Sequence, residues 1–191
     1  REKFGNIPLS VDANSSYNIK LSNTLKELDK FNLLMIEQPF SGRNFIDHAR
    51  LQKDISTPVC LDESIECLDD ARTAIELGSC KVINIKPGRV GGLLESIKIH
   101  NLCYESKIPV WCGGMLEFGV GRSFNISLSS LPNFKYPGDI SSSKRYYKED
   151  IIEPAIEAID GQIKVQRIPG LGFEPVEKTI EKYTVRKEVF S

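Results

Sequence analysis

The sequence predicts an α/β fold in which a parallel sheet curls into a barrel, and three observations predict it. Apolar runs of five or six residues recur along the first 112 positions. Four of them end in an ionisable side chain: PLSVD in Asp12, LLMIE in Glu37, PVCLD in Asp62 and VINIK in Lys86. These residues stand 25, 25 and 24 positions apart, so each gap has room for one helix and two turns. Strands alternating with helices at this spacing imply parallel neighbours. Charged residues at the same end of successive strands favour a TIM-like (β/α) barrel, whose site is assembled at that rim. An open doubly wound sheet places its site mainly at one switch point.

The first strand is read at 8–12. Leu21, Leu25, Leu28 and Phe31 then keep a helical spacing over 14–31. The second strand, 33–37, is stopped by Gln38-Pro39, because the residue before proline leaves the helical region. A helix over 43–54 leads to strand 58–62. A helix over 67–77 follows, with Gly78 as its stop. Strand 81–86 runs into the turn PGRVGG and a helix over 93–106. Strand 108–112 is followed by Gly113-Gly114 and a helix over 119–130. YPGD at 136–139 marks a last strand. Beyond residue 140 the rhythm changes: QIKVQRIP alternates like an exposed strand, and the charged tail from Glu177 lies on the surface. The organisation expected is a partial barrel over 1–150 and a separate C-terminal segment over 151–191.

Composition narrows the function. A net charge of −1 gives no reason to expect nucleic acid or a membrane surface as partner. No apolar run approaches the ~20 residues of a membrane span, and REKFGNIP has no signal-peptide core. Five cysteines without framework spacing argue for a reducing cytoplasm.

Taken singly, Asp12 or Asp62 reads as a helix cap. Glu37 fits that reading less well, because Gln38-Pro39 intervenes before any helix. Three carboxylates at one barrel mouth repel, and a divalent cation relieves that repulsion. All-oxygen donors without His or Cys point to Mg2+, with Mn2+ as the substitute, rather than zinc. Lys86 breaks an apolar run beside those carboxylates and is the candidate acid or base. Asn14 is placed to bond a metal ligand or to cap the next helix. Gly88, Gly91 and Gly92 suit either a phosphate cradle or tight packing. Gly113, Gly114, Met115, Glu117, Gly119, Gly121 and Arg122 form a second glycine-rich loop, read as pocket lining or as a plain connection. His48 and His100 are read as solvated helix residues, and Trp111 as packed in or beside the barrel.

The motifs VDAN, IEQP, LDES, NIKPGRVGG, WCGGMLEFGVGR and SLPNFKYPGD together resemble the enolase superfamily, within its muconate-lactonising-enzyme subgroup. They look most like the branch of o-succinylbenzoate synthases and N-acylamino-acid racemases. The resemblance implies a (β/α)7β barrel with an α+β capping domain. It also implies Mg2+ on Asp12, Glu37 and Asp62, Lys86 as the sixth-strand acid/base, and Asn14, Gly114, Met115 and Leu116 facing a small-molecule carboxylate substrate. In such enzymes the metal stabilises an enediolate as an α-proton leaves. The implied activity is a lyase of menaquinone biosynthesis, with racemase or dipeptide epimerase as the alternative; a homo-oligomer fits either. The family's Lys-x-Lys strand lies upstream of VDAN. The chain is therefore expected to be a fragment lacking that base, the first barrel strands and most of the cap. As such it needs those strands for closure and is inactive alone. A phosphate-binding barrel leaves the carboxylates unexplained, while a non-catalytic partner-binding module stays open.

Overall fold

A computed structural model describes residues 1–190. Five parallel strands form the main sheet: β1 (Ser10–Asp12), β2 (Met35–Glu37), β3 (Val59–Leu61), β4 (Val82–Asn84) and β5 (Val110–Trp111). Their order in space is their order in sequence. The strand order never reverses, so the doubly wound alternative is excluded and the sheet is a segment of a barrel wall. The strands are shorter than the sequence suggests, and 136–139 forms none. Phe134 instead makes a parallel bridge to Val110.

Side chains alternate across this sheet. Ile36, Val59, Leu61, Ile83 and Val110 face the helices and join the main core. Met35, Cys60, Val82 and Trp111 face the concave side, where Tyr136 packs on them. Asp12, Glu37 and Asn84 share that inner parity at the strands' C-terminal ends, as the register pairs Asp12–Glu37, Glu37–Cys60 and Asn84–Trp111 show. Residues 62 and 86 continue the alternation beyond β3 and β4.

The helices explain the outer layer. The segment expected as one helix over 14–31 is broken into a 3-10 turn (Ile19–Leu21), α1 (Ser22–Lys26) and a second 3-10 stretch (Glu27–Phe31). Asn18 caps the first turn, and Asn32 ends the last in a left-handed conformation. Asp29 then ties this piece to the turn before β3. Its carboxylate accepts from the Ser56 and Thr57 N–H groups and the Thr57 hydroxyl, at 2.6–2.9 Å. Asn44 caps α2 (Phe45–Asp54), and Gly78 ends α3 (Leu68–Leu77) in the left-handed region that a glycine adopts without strain. A single turn, α4 (Pro87–Val90), precedes α5 (Leu93–Glu105), and α6 (Gly119–Leu128) follows β5.

The expected exposed strand at QIKVQRIP does not form; only an isolated bridge joins Ile159 to Gln162. Its place is taken by an antiparallel pair, β6 (Ile152–Glu153) with β7 (Glu174–Pro175), over a satellite core of Ile126, Ile152 and Ile156. The charged tail holds a short helix, α7 (Glu177–Tyr183), that buries Thr179 and leaves most of its other residues exposed.

Both histidines are buried rather than solvated. His48 Nε2 accepts the Phe40 N–H at 3.1 Å while Nδ1 meets the Asn44 carbonyl at 2.8 Å. His100 Nε2 accepts the Asn133 N–H at 3.2 Å. Each imidazole serves as a main-chain acceptor between elements, a role that periodicity does not show. Burial holds His48 down at about 4, against an ordinary value of 6.5.

Candidate active site

The rim is assembled from strand ends. Asp12 lies exposed on the edge strand; Asn14 donates to it from its main-chain N–H (2.9 Å) and from Nδ2 (2.8 Å). Asp12 thus shapes its own turn rather than capping a distant helix. The same Asn14 amide reaches Glu63 Oε1 at 3.5 Å. Glu37 is 7% exposed, and its Oε1 accepts from Asn84 Nδ2 at 2.8 Å. Burial pushes the Glu37 carboxyl up to about 7; the Asn84 bond opposes the shift, and the Asp62 and Asp12 charges add to it.

Asp62 does not cap a helix either. Its Oδ2 accepts from Lys86 Nζ at 2.7 Å and its Oδ1 from Arg89 Nη1 at 2.5 Å. Arg89 Nε also donates to the Ile65 carbonyl and Nη2 to the Asn84 carbonyl, which fixes the guanidinium in place. Both cations therefore bracket Asp62, and among the described residues Asp12 and Glu37 carry no ion pair of their own.

Gln38 holds two strand ends together. It is fully buried and sits at a φ of +35°, unusual for a side-chain-bearing residue. Its Oε1 accepts from the main-chain N–H groups of Asp62 (2.8 Å) and Ser64 (3.2 Å). Its Nε2 donates to the Phe40 carbonyl (2.9 Å) and the Ser64 hydroxyl (2.7 Å). The Gln38 main chain completes the stitch, donating to the Cys60 carbonyl and accepting from the Ser15 N–H.

Gly113 makes room for the lysine. A Cβ there would lie 2.5 Å from Lys86 Cε and 2.6 Å from Asn84 Nδ2. Beyond it the loop is pinned: Asp139 accepts from the Gly114 N–H, Glu117 from the Met115 N–H, and the Tyr147 hydroxyl donates to the Leu116 carbonyl. This leaves Met115 (53% exposed) and Leu116 (67%) projecting. Gly91 and Gly92, at φ values of +95° and +103°, shape the turn from α4 into α5. Trp111 Nε1 donates to Cys60 Sγ at 3.2 Å inside the curve of the sheet.

A divalent cation suits this rim in kind: the donors are oxygens on successive strand ends, and Glu37 is a buried carboxylate that feels the charges of Asp62 and Asp12. The side chains do not converge on one point, however. Among the described residues no three His, Cys, Asp or Glu groups are gathered closely enough to hold a metal ion, and Asp62 is turned to Lys86 and Arg89.

Sequence reading did not assign roles to Gln38, Asn84 or Arg89. Asn84 and Arg89 lie in NIKPGRVGG, and a signal for Asn84 exists: it is a polar residue two positions before Lys86, on the same inner face. Gln38 offers no such signal, because its partners come from the next strand.

The chain is similar to several known proteins. Residues 1–179 match the family model for the Enolase C-terminal domain-like family. The chain is 56% identical over 191 residues to o-succinylbenzoate synthase of Bacillus subtilis, covering all of this chain and 52% of that protein. It is 48% identical to N-succinylamino acid racemase of an Amycolatopsis species, covering 98% of this chain and 51% of that protein. A solved enolase-superfamily member from Listeria innocua superposes with a TM-score of 0.93 at 47% identity, over 97% of this chain and 50% of that one. The chain thus spans about half the length of the curated relatives it matches. No helix among the described residues is long and apolar enough to cross a membrane.

Proposed function

The chain belongs to the Enolase C-terminal domain-like family, and from that premise we propose that it carries the cation-binding and lysine-bearing part of an enzyme that removes the α-proton of a carboxylate substrate. The observation that carries the reading is the placement of Lys86 Nζ, 2.7 Å from Asp62, on the rim that also bears Glu37 and Asp12.

Asp12, Glu37 and Asp62 would hold the cation, Mg2+ with Mn2+ as substitute, and it would supply positive charge opposite the substrate's carboxylate oxygens as the enediolate develops. Lys86 works at one face of the α-carbon. In a racemisation its Nζ takes or returns the α-proton. In a dehydration its ammonium offsets the growing negative charge. Asp62 and Arg89 fix where that nitrogen stands, and the missing Cβ of Gly113 gives its stem a path. Met115 and Leu116, projecting from their pinned loop, offer an apolar wall to the acyl portion, with Gly114 and Asn14 at its two sides.

Dehydration to o-succinylbenzoate is the first activity to assay, because the relative at 56% identity bears that name. Racemisation of N-succinylamino acids is the second reading, favoured by the relative at 48%. The test uses the whole protein that contains this chain. With Mg2+ in deuterated buffer it should exchange the α-proton of N-succinylamino acids or form o-succinylbenzoate from its hydrated precursor. Lys86→Met should remove exchange at one face. Absence of both reactions in the wild type, or exchange untouched by Lys86→Met, overturns the reading. The 191 residues by themselves are expected to be inactive, and turnover by them would show that no upstream base is required.

A further inference from the structure

Asn84 touches both halves of the site. It ends β4 on the inner face and is fully buried. Its Nδ2 donates to Glu37 Oε1 at 2.8 Å, and its Oδ1 accepts the Gly113 N–H at 2.8 Å. Arg89 Nη2 holds its main-chain carbonyl at 3.1 Å. The Gly113 backbone lies against the carboxamide, since a Cβ there would fall 2.6–2.8 Å from both of its polar atoms.

A carboxamide has one donor end and one acceptor end. Turned over, it would set oxygen against the Glu37 carboxylate and N–H against the Gly113 N–H. The two bonds therefore stand or fall together. Gly113 stands near the start of the loop that presents Met115 and Leu116, and Glu37 is one of the three rim carboxylates. A neutral amide is suited to this task, because it orients a carboxylate without cancelling the charge a cation needs.

We propose that Asn84 is a positioning residue that couples cation binding at Glu37 to the order of the loop at 113–116, and thereby to grip on the acyl portion of the substrate. The inference rests on the function proposed above for the rim. Coupling between two sites is reciprocal, so an acyl carboxylate that settles the loop also tightens the cation.

The experiment is hydrogen exchange of the whole protein with and without Mg2+, read at 113–116, with calorimetry of Mg2+ binding on the same samples. In the wild type Mg2+ should slow exchange at these amides. Asn84→Ser should weaken Mg2+ binding by about 10-fold or more and leave exchange at 113–116 the same with and without the ion. It should also raise KM for the carboxylate substrate more than it lowers kcat. If Asn84→Ser does not fold, as judged by Trp111 fluorescence, Asn84→Asp takes its place. That variant keeps the acceptor for Gly113 and sets a charge against Glu37, and the same loss of Mg2+-dependent protection is expected. A wild type that binds Mg2+ without any change at 113–116, or a variant that keeps the change, overturns the coupling. A wild type that binds no Mg2+ at all overturns the reading of the rim instead.

Discussion

Replacing Gln38 tests how the rim is held. The side chain makes four hydrogen bonds of 2.7–3.2 Å, all buried. Gln38→Ala leaves the Asp62 and Ser64 N–H groups, the Phe40 carbonyl and the Ser64 hydroxyl without this partner. At about 1 kcal/mol net for each bond, the loss is about 4 kcal/mol. A domain of this kind is stable by about 5–15 kcal/mol, so the variant should fold marginally. With a urea slope of about 2 kcal/mol/M, the midpoint should fall by about 2 M. The backbone supplies an internal control. Gln38 sits at a φ of +35°, which glycine adopts more easily. Gln38→Gly should therefore be more stable than Gln38→Ala by about 1 kcal/mol, although it lacks the same bonds. Urea titration followed at Trp111, the one tryptophan of the chain, reads both variants from inside the sheet. A Gln38→Ala variant that loses less than about 1 kcal/mol, the worth of a single hydrogen bond, refutes the reasoning. So does one more stable than Gln38→Gly.

Three further outcomes are expected. Folded His48 stays neutral down to about 4, while an unfolded histidine takes a proton near its ordinary 6.5. The unfolded chain then takes up a proton at His48 that the folded chain does not, so the His48 contribution to stability falls as pH drops through that window, by roughly 3 kcal/mol at its lower end. Glu37, held up at about 7, contributes the opposite slope, so the difference between proteins is read: from pH 6.5 to 4 the urea midpoint of the wild type should drop relative to that of His48→Gln, which keeps an acceptor for the Phe40 N–H. Gly113→Ala pushes a methyl into Lys86 Cε and Asn84. It should cost about 1–3 kcal/mol in denaturation and, on the role proposed for Lys86, lower kcat of the whole protein by about 10-fold or more, because the amine is displaced. Asp62→Asn leaves Lys86 and Arg89 without their shared carboxylate and should destabilise by about 3–5 kcal/mol; calorimetry should show weaker Mg2+ binding as well.

The parts of this fold governed by local chemistry were legible in the sequence. Apolar runs closing on Asp12, Glu37, Asp62 and Lys86 gave the strands and the rim. Gly78 marked a helix end because a left-handed residue favours glycine, and Pro39 marked the end of β2. The parts governed by contacts across the chain were not legible. His48 and His100 stand on helices with ordinary polar neighbours, yet each is buried to accept a main-chain N–H from another segment. Residues 162–169 alternate like a strand but have no sheet to join. The segment 14–31 keeps helical spacing and still breaks, because Asn18 caps one turn and Asp29 is drawn away to the turn before β3. At the site the charged residues and Asn14 announced themselves, and Asn84 left a signal in its inner-face parity with Lys86, whereas Gln38 and Arg89 act through partners on neighbouring segments.

The principal strands are only two or three residues long, so few main-chain bonds hold them near the rim. Side chains of Asn14, Gln38 and Asn84 take over where the ladders stop. A ladder of backbone bonds survives most single-codon changes, but one carried by side chains does not. The mouth of this barrel is therefore built from replaceable parts: one substitution can loosen two neighbouring strands at once, or re-aim a loop without disturbing the apolar wall beneath. Variation in what such a mouth admits has a short route here, and so does its loss.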